Sequence, residues 1–206
     1  MESTFIIIKI KWNTKIRMGI INDYKQVEEI RDKYKIICQP IGTPAISRRQ
    51  NKLLIGPYII NKYDLFYLYE NKYILIDSEG VDDEKNFLVE YEKNKNDLLY
   101  LVYKDLHSKG YFILPGSKYG VDFLGYKDDP NFVHSTYLIS CKKIDENIDA
   151  KDIINNERIS VGTRKILIYA FVEKDEVKDK DKDEEKSNDV NNEVKIKYIN
   201  LSWTQI

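Results

Sequence analysis

Histidine is nearly absent: His107 and His134 are the only two in 206 residues, so imidazole catalysis or a histidine-based metal site must use one of them. Cysteine is equally scarce. Cys38 and Cys141 are far apart and belong to no spaced cluster, which indicates neither a zinc site nor a disulfide framework; both are expected to be core thiols. No glycine-rich GxxxxGK phosphate loop occurs, so nucleotide hydrolysis is not supported. Long apolar runs are missing as well. Phe5 to Ile8 and Ile166 to Val172 are strand-sized and far short of the roughly 20 residues of a membrane span. Met1-Glu2-Ser3 leads into a strand-like run without a basic stretch, a long apolar core or a small-residue cleavage site. No signal peptide is expected, and the protein is expected to stay inside the cell.

What is present is enough to fold. Hydrophobic residues make up 42% and aromatics 12%, which excludes wholesale disorder. At roughly 150 residues per domain the chain allows one large domain or two small ones. The net charge of −1 hides an asymmetry: Glu173 to Glu193 holds ten acidic residues against five lysines, leaving a body with 28 basic and 24 acidic residues. That mildly basic body is compatible with an anionic partner such as RNA, and equally with ordinary surface variation.

Along the chain, Phe5 to Lys11 reads as a buried strand and Asp23 to Tyr34 as a helix, with Asp23 and Gln26 placed as a capping box. Pro40, Gly42 and Pro44 force a loop, Ser47 to Lys52 is a short basic run before Leu53 to Ile55, and Gly56-Pro57 marks a turn. Asn61 is positioned to cap a second helix, and Tyr73 to Ile76 is a strand. These elements predict an N-terminal α/β domain over 1–80, followed by a charge-dense connecting helix over 81–95. From residue 96 the apolar spacing of Leu98, Leu99, Val102 and Leu106 predicts a helix ending at Gly110, with His107 off the stripe as a helix-surface residue. Tyr111 to Leu114, Val121 to Tyr126 and Val133 to Cys141 read as strands joined by turns, an antiparallel pattern. Asp149 to Asn156 reads as a short helix, Thr163 to Val172 and Val194 to Leu201 as strands, and Glu173 to Glu193 as a flexible acidic insertion.

With His134 as the remaining histidine, RNA cleavage is a chemistry that such a site could run, because RNA supplies its own nucleophile. The 2′-hydroxyl attacks the adjacent phosphate if one group removes its proton, another protonates the departing 5′-oxygen and a cation stabilises the charged phosphorane. Tyr126, His134 and Lys165 are of suitable types, although spacing alone does not select them from sixteen tyrosines and many lysines.

Resemblance selects them. Gly110-Tyr111, Pro115-Gly116-Ser117-Lys118-Tyr119-Gly120-Val121-Asp122-Phe123-Leu124-Gly125-Tyr126, Asp129-Pro130 and His134-Ser135-Thr136-Tyr137 together resemble the catalytic domain of tRNA-splicing endonucleases. Arg158-Ile159-Ser160-Val161-Gly162-Thr163-Arg164-Lys165-Ile166-Leu167 is similar to the family's closing motif, with an arginine seven residues before the family lysine. The catalytic resemblance covers about residues 96–172 and, through Tyr198 and Trp203, the last strand. The Arg49-Gln50-Asn51 and Gly56-Pro57 stretch, with the spacings of 8 and 31 residues between the three positions, is most similar to the eukaryotic subunit assigned to the 3′ splice site. Departures from the usual family pattern are Ser160-Val161 before the lysine, Gly125 before the tyrosine, and the acidic insertion Glu173 to Glu193 between the last two strands.

The resemblance implies an α/β fold with a small mixed N-terminal domain and, over 96–206, a restriction-endonuclease-like catalytic domain. It implies a lyase that removes introns from precursor tRNA without metal or cofactor, leaving a 2′,3′-cyclic phosphate and a 5′-hydroxyl. Tyr126 takes the place of the family's general base, His134 of the general acid and Lys165 of the transition-state cation, whereas Lys118, Arg158 and Arg164 are tentative RNA contacts. Partners would be precursor tRNA and paralogous subunits in a heterotetramer, paired through the strand Val194 to Leu201. The location would be the nucleus or the cytosolic face of the mitochondrial outer membrane. Three rivals remain at this point: a non-catalytic subunit of the same assembly, a metal-dependent nuclease using Asp122, Asp128 and Asp129, and a general RNA-binding protein.

Overall fold

Lys11, Trp12 and Asn13 pair antiparallel with Ile20, Gly19 and Met18, so the first two strands, β1 (Ile8–Asn13) and β2 (Met18–Ile21), form a hairpin. A computed structural model describes residues 8–42, 57–76, 81–174 and 194–201. The basic run Ser47 to Lys52, Leu53 to Ile55, Gly56, Trp203 and all but the first two residues of the acidic insertion lie outside the described residues. The chain divides into two compact units, residues 1–114 with 126–134, and residues 115–125 with 135–206.

In the first unit α1 (Tyr24–Tyr34) follows the hairpin, and the Asp23 side chain accepts the backbone N–H of Lys25 as its N-cap. Next come β3 (Gln39–Pro40), β4 (Tyr58–Ile60), α2 (Lys62–Glu70) and β5 (Ile74–Ile76). The sheet runs β3-β4-β2-β1-β5, with β5 parallel to β1 and the other pairs antiparallel. Asn61 stands at the N-cap of α2 without a side-chain capping bond. Two further helices, α3 (Val81–Asn94) and α4 (Leu98–Ser108), complete the helical layer, and β6 (Phe112–Pro115) leads out of the unit. Alternate inward positions of the strands supply Ile10, Trp12, Ile21 and Ile60 to the core, and α2 adds Leu65, Phe66 and Leu68. Phe87 of α3 is wholly buried, with its ring 5.4 Å from Trp12, 5.7 Å from Phe66 and 5.0 Å from Tyr69.

In the second unit a single 3-10 turn, Ser117–Tyr119, ends at Gly120 in the left-handed region (φ 70°) and is followed by β7 (Phe123–Tyr126) and β8 (Tyr137–Lys143). Then come α5 (Ala150–Thr163), β9 (Ile166–Lys174) and β10 (Val194–Leu201). The strands lie in the order β10-β9-β8-β7. β8 and β9 are parallel through the α5 crossover, and the other pairs are antiparallel. The fold is therefore mixed α/β with two mixed sheets and five α-helices among the described residues.

Three expectations are corrected here. The strand predicted from Val133 begins only at Tyr137, because the Asp129-Pro130 turn and the bond from the Thr136 N–H to the Gly125 carbonyl (2.9 Å) hold 127–136 outside the ladder. The helix predicted over 149–156 continues to Thr163, since Glu157 and Ser160 continue its buried face. The strand predicted from Thr163 therefore starts at Ile166.

Gly116 is the most closely approached glycine of the second unit. A Cβ there would lie 2.6 Å from Val121 Cγ2, 2.7 Å from the Val121 carbonyl oxygen and 2.9 Å from the Phe123 nitrogen. Backbone on two of three sides leaves little room to relax. Gly116→Ala is expected to destabilise the protein by about 1–3 kcal/mol, read as a lower urea midpoint with an unchanged slope.

Candidate active site

Helix α5 ends in a left-handed residue, Arg164 (φ 55°), with the Arg164 N–H bonded to the Val161 carbonyl (3.1 Å) and the Lys165 N–H to the Ser160 carbonyl (2.8 Å). This paired closure reverses the chain within one residue and delivers Lys165 to the start of β9. Lys165 is half-buried. Its Nζ donates to the Ser135 carbonyl oxygen at 2.8 Å and stands 5.7 Å from the centre of the Tyr119 ring, over its face. The ammonium is thus held by an acceptor and a ring, and no carboxylate appears among these contacts to neutralise it.

Sheet register relates the chain neighbours of two of the predicted residues. Gly125 of β7 pairs with Tyr137 of β8, and Tyr137 pairs with Ile166 of β9, so these three positions form one line across the second unit's sheet. Lys165 precedes Ile166 in the chain, Tyr126 follows Gly125, and His134 immediately precedes Ser135, whose carbonyl Lys165 binds. Tyr126 is half-buried at the end of β7, and His134 is exposed in the loop before β8. Both belong to the segment 126–134 that groups with the first unit, whereas Lys165 belongs to the second.

The remaining predicted residues are more loosely placed. Lys118 is exposed on the 3-10 turn with its Nζ 5.9 Å from the Tyr119 ring centre, Arg158 is exposed on α5, and Arg164 is the exposed left-handed residue already described. Sequence reasoning missed Tyr119 and Ser135, which hold Lys165. Both lie inside the quoted motifs, but nothing in their spacing marks a contact with a lysine 30 or more residues away.

His107 is a correction. It is buried, not on the helix surface, with its ring 4.3 Å from Tyr67 and 5.5 Å from Tyr103. Burial, opposed by a backbone hydrogen bond at Tyr34 and helped by the positive charge of Lys35, pushes its pKa down to about 4. It is a core imidazole. The three aspartates of the metal-dependent rival also have local duties: Asp122 accepts the Cys141 N–H (2.7 Å), Asp128 the Asp129 N–H (2.8 Å) and Asp129 the Asn131 N–H (2.8 Å). Among the described residues no three His, Cys, Asp or Glu side chains gather as a metal cluster, and no helix is long and apolar enough to cross a membrane. Cys38 and Cys141 are buried thiols outside any disulfide, as expected.

Residues 96–179 match the family described as the catalytic C-terminal domain of tRNA intron endonuclease. A tRNA-splicing endonuclease of Saccharolobus islandicus is 35% identical over 127 residues, covering 60% of this chain and 70% of the archaeal protein. That of Saccharolobus solfataricus is 33% identical over 141 residues, covering 66% and 76%. The chain belongs to the tRNA-splicing endonuclease family. Over a shorter stretch it is also similar to the tRNA-splicing endonuclease of Hyperthermus butylicus, 42% identical over 76 residues, 37% of this chain and 42% of that protein. Tyr126, His134, Lys165 and the two residues that hold the lysine all fall inside the matched catalytic domain of this family member.

Proposed function

We propose that this chain cleaves precursor tRNA through attack of the 2′-hydroxyl on the adjacent phosphate, with Tyr126 as general base, His134 as general acid and Lys165 as the cation on the phosphorane. The observation that carries the reading is the Lys165 ammonium fixed on the carbonyl of Ser135, next in the chain to His134. A compact point charge suits the dispersed charge of a pentacoordinate phosphate, and a fixed one needs no reorganisation during the reaction. Tyrosine ordinarily ionises near pH 10, so base catalysis near neutrality needs positive charge by the phenol; imidazole, ordinarily near 6.5, is suited to hold a proton for the leaving 5′-oxygen. In this scheme the 2′-oxygen bonds phosphorus as the bond to the 5′-oxygen breaks, leaving a cyclic phosphate and a 5′-hydroxyl. No step requires a metal.

Lys118, Arg158 and Arg164 would contribute phosphate contacts, for which their exposure is suited. β10 lies at the edge of the second unit's sheet, which supports pairing with a paralogous subunit. The resemblance of the motif spacings to the eukaryotic 3′-site subunit supports cutting at the 3′ splice site. The test is cleavage of an intron-containing precursor in EDTA by the purified complex, comparing wild type with His134→Ala and mapping the ends. Cyclic-phosphate ends in EDTA, with the variant losing 3′-site cutting alone, are expected. Unchanged cutting at both sites in the variant overturns the catalytic reading, and cutting abolished by EDTA overturns the metal-free scheme.

A further inference from the structure

Phe132 is the most exposed large apolar side chain among the described residues, 83% accessible, and the only aromatic in that group; Val133 beside it is 36% accessible. Isolated exposed apolar residues are common, but this one is held in place by a built turn. The Phe132 and Val133 N–H groups both donate to the Asp129 carbonyl, at 2.9 and 3.1 Å, and the Asp129 carboxylate accepts the Asn131 N–H at 2.8 Å. The same carboxylate lies 3.8 Å from Nε of Arg31 on α1, and the Asp128 carboxylate accepts the Asp129 N–H. Pro130 adds a fixed φ at the centre of the turn. The turn therefore presents a flat ring to solvent with its backbone already ordered.

His134 is two residues further on, and two residues of chain span at most about 7 Å between Cα atoms. We propose that Phe132 is the stacking platform for an unpaired nucleobase flanking the scissile phosphate. The inference rests on the reading of His134 as the acid at that phosphate. Unpaired RNA bases stack on aromatic side chains irrespective of sequence, because every base has a π-face. Such a contact grips the nucleotide next to the reacting bond without reading its identity, and the preordered turn lowers the entropy lost on binding.

The test uses the complete chain in its purified assembly and a precursor carrying a 2′-deoxy nucleotide at the splice site, so that binding is measured without cleavage. Phe132→Ala and Phe132→Leu are expected to weaken binding about tenfold, while Phe132→Trp stays within twofold of wild type, because leucine keeps the apolar bulk and loses the flat ring. With an abasic nucleotide at the flanking position, wild type and Phe132→Ala are expected to bind equally. Wild-type binding by Phe132→Leu, or an alanine effect that persists on the abasic precursor, overturns the proposal. A shift of Phe132→Ala to a smaller assembly in light scattering overturns it in favour of a protein contact. On the cleavable precursor, His134→Ala cutting at the wild-type rate overturns the acid assignment and with it the position given to the base, whereas loss of cutting alongside unchanged Phe132→Ala binding overturns the platform alone.

Discussion

Lys165→Met is expected to lower the single-turnover rate of precursor cleavage about 10²–10³-fold while changing precursor affinity by no more than about threefold. The asymmetry follows from what the ammonium does. A cation that meets a phosphodiester in the ground state adds modest affinity; the same cation aimed at a phosphorane acts where charge accumulates, so its loss falls on the rate. Methionine keeps the aliphatic stem over the Tyr119 face but leaves the Ser135 carbonyl without its 2.8 Å donor. That unsatisfied acceptor is expected to lower stability by about 1–3 kcal/mol, so rates are compared below the melting transition of the variant. Lys165→Arg separates charge from shape. The guanidinium restores a positive charge and a donor for Ser135, but its planar fork sits differently from a point charge, and a rate still at least tenfold below wild type is expected. Equal rates for wild type and Lys165→Met, measured on folded protein, would remove Lys165 from the reaction.

The second large effect concerns stability and pH in the first unit. The neutral form of His107 is favoured in the fold, its pKa pushed down to about 4 by burial, against an unfolded value near 6.5. Its contribution is fully present above pH 6.5 and is lost as pH falls toward 4, by about 3 kcal/mol in total. Asp64 runs the other way. Its carboxyl is buried and its pKa is raised to about 7, although the Tyr103 hydroxyl donates to it at 2.5 Å and partly offsets the rise. Its contribution is fully present below the ordinary carboxylate value and is lost as pH rises through 7, an effect of similar size. Tyr103 touches both groups, bonding Asp64 and lying 5.5 Å from the His107 ring. Between pH 4 and 6.5 the two contributions nearly cancel in the wild type. Asp64→Asn is therefore expected to lose stability on acidification and His107→Phe to gain it, relative to wild type, by about 3 kcal/mol each across that window. Urea unfolding at half-unit pH steps reads both. Parallel stability curves for the three proteins would show that neither group titrates on unfolding.

The elements most legible in the sequence were those whose signals are local. Asp23 announces the start of α1 by its capping chemistry, and the run dense in Ile, Leu and Tyr after residue 165 announces β9. The end of α5 was not legible, because Ser160, Val161, Gly162 and Thr163 have weak helix propensity and only the buried face through Glu157 and Ser160 keeps them helical. His107 was misplaced for a related reason: it lies one position off the stripe of α4, and the rings of Tyr67 and Tyr103 that enclose it cannot be read from helical spacing. Tyr126, His134 and Lys165 stood out through motif resemblance alone. The line Gly125, Tyr137, Ile166 that relates the chain neighbours of Tyr126 and Lys165 is a matter of register, which no local pattern encodes.

The acceptor that holds Lys165 is a main-chain oxygen. Every replacement at position 135, whatever its side chain, carries that oxygen with it, so the lysine's anchor is inherited with the strand order and survives sequence drift that would separate a pair of side chains. Relatives that share the topology but little else of the sequence would retain the anchor. Divergence in such a lineage is then free to accumulate in the residues that touch substrate or neighbouring subunits, with the cation left standing where it was.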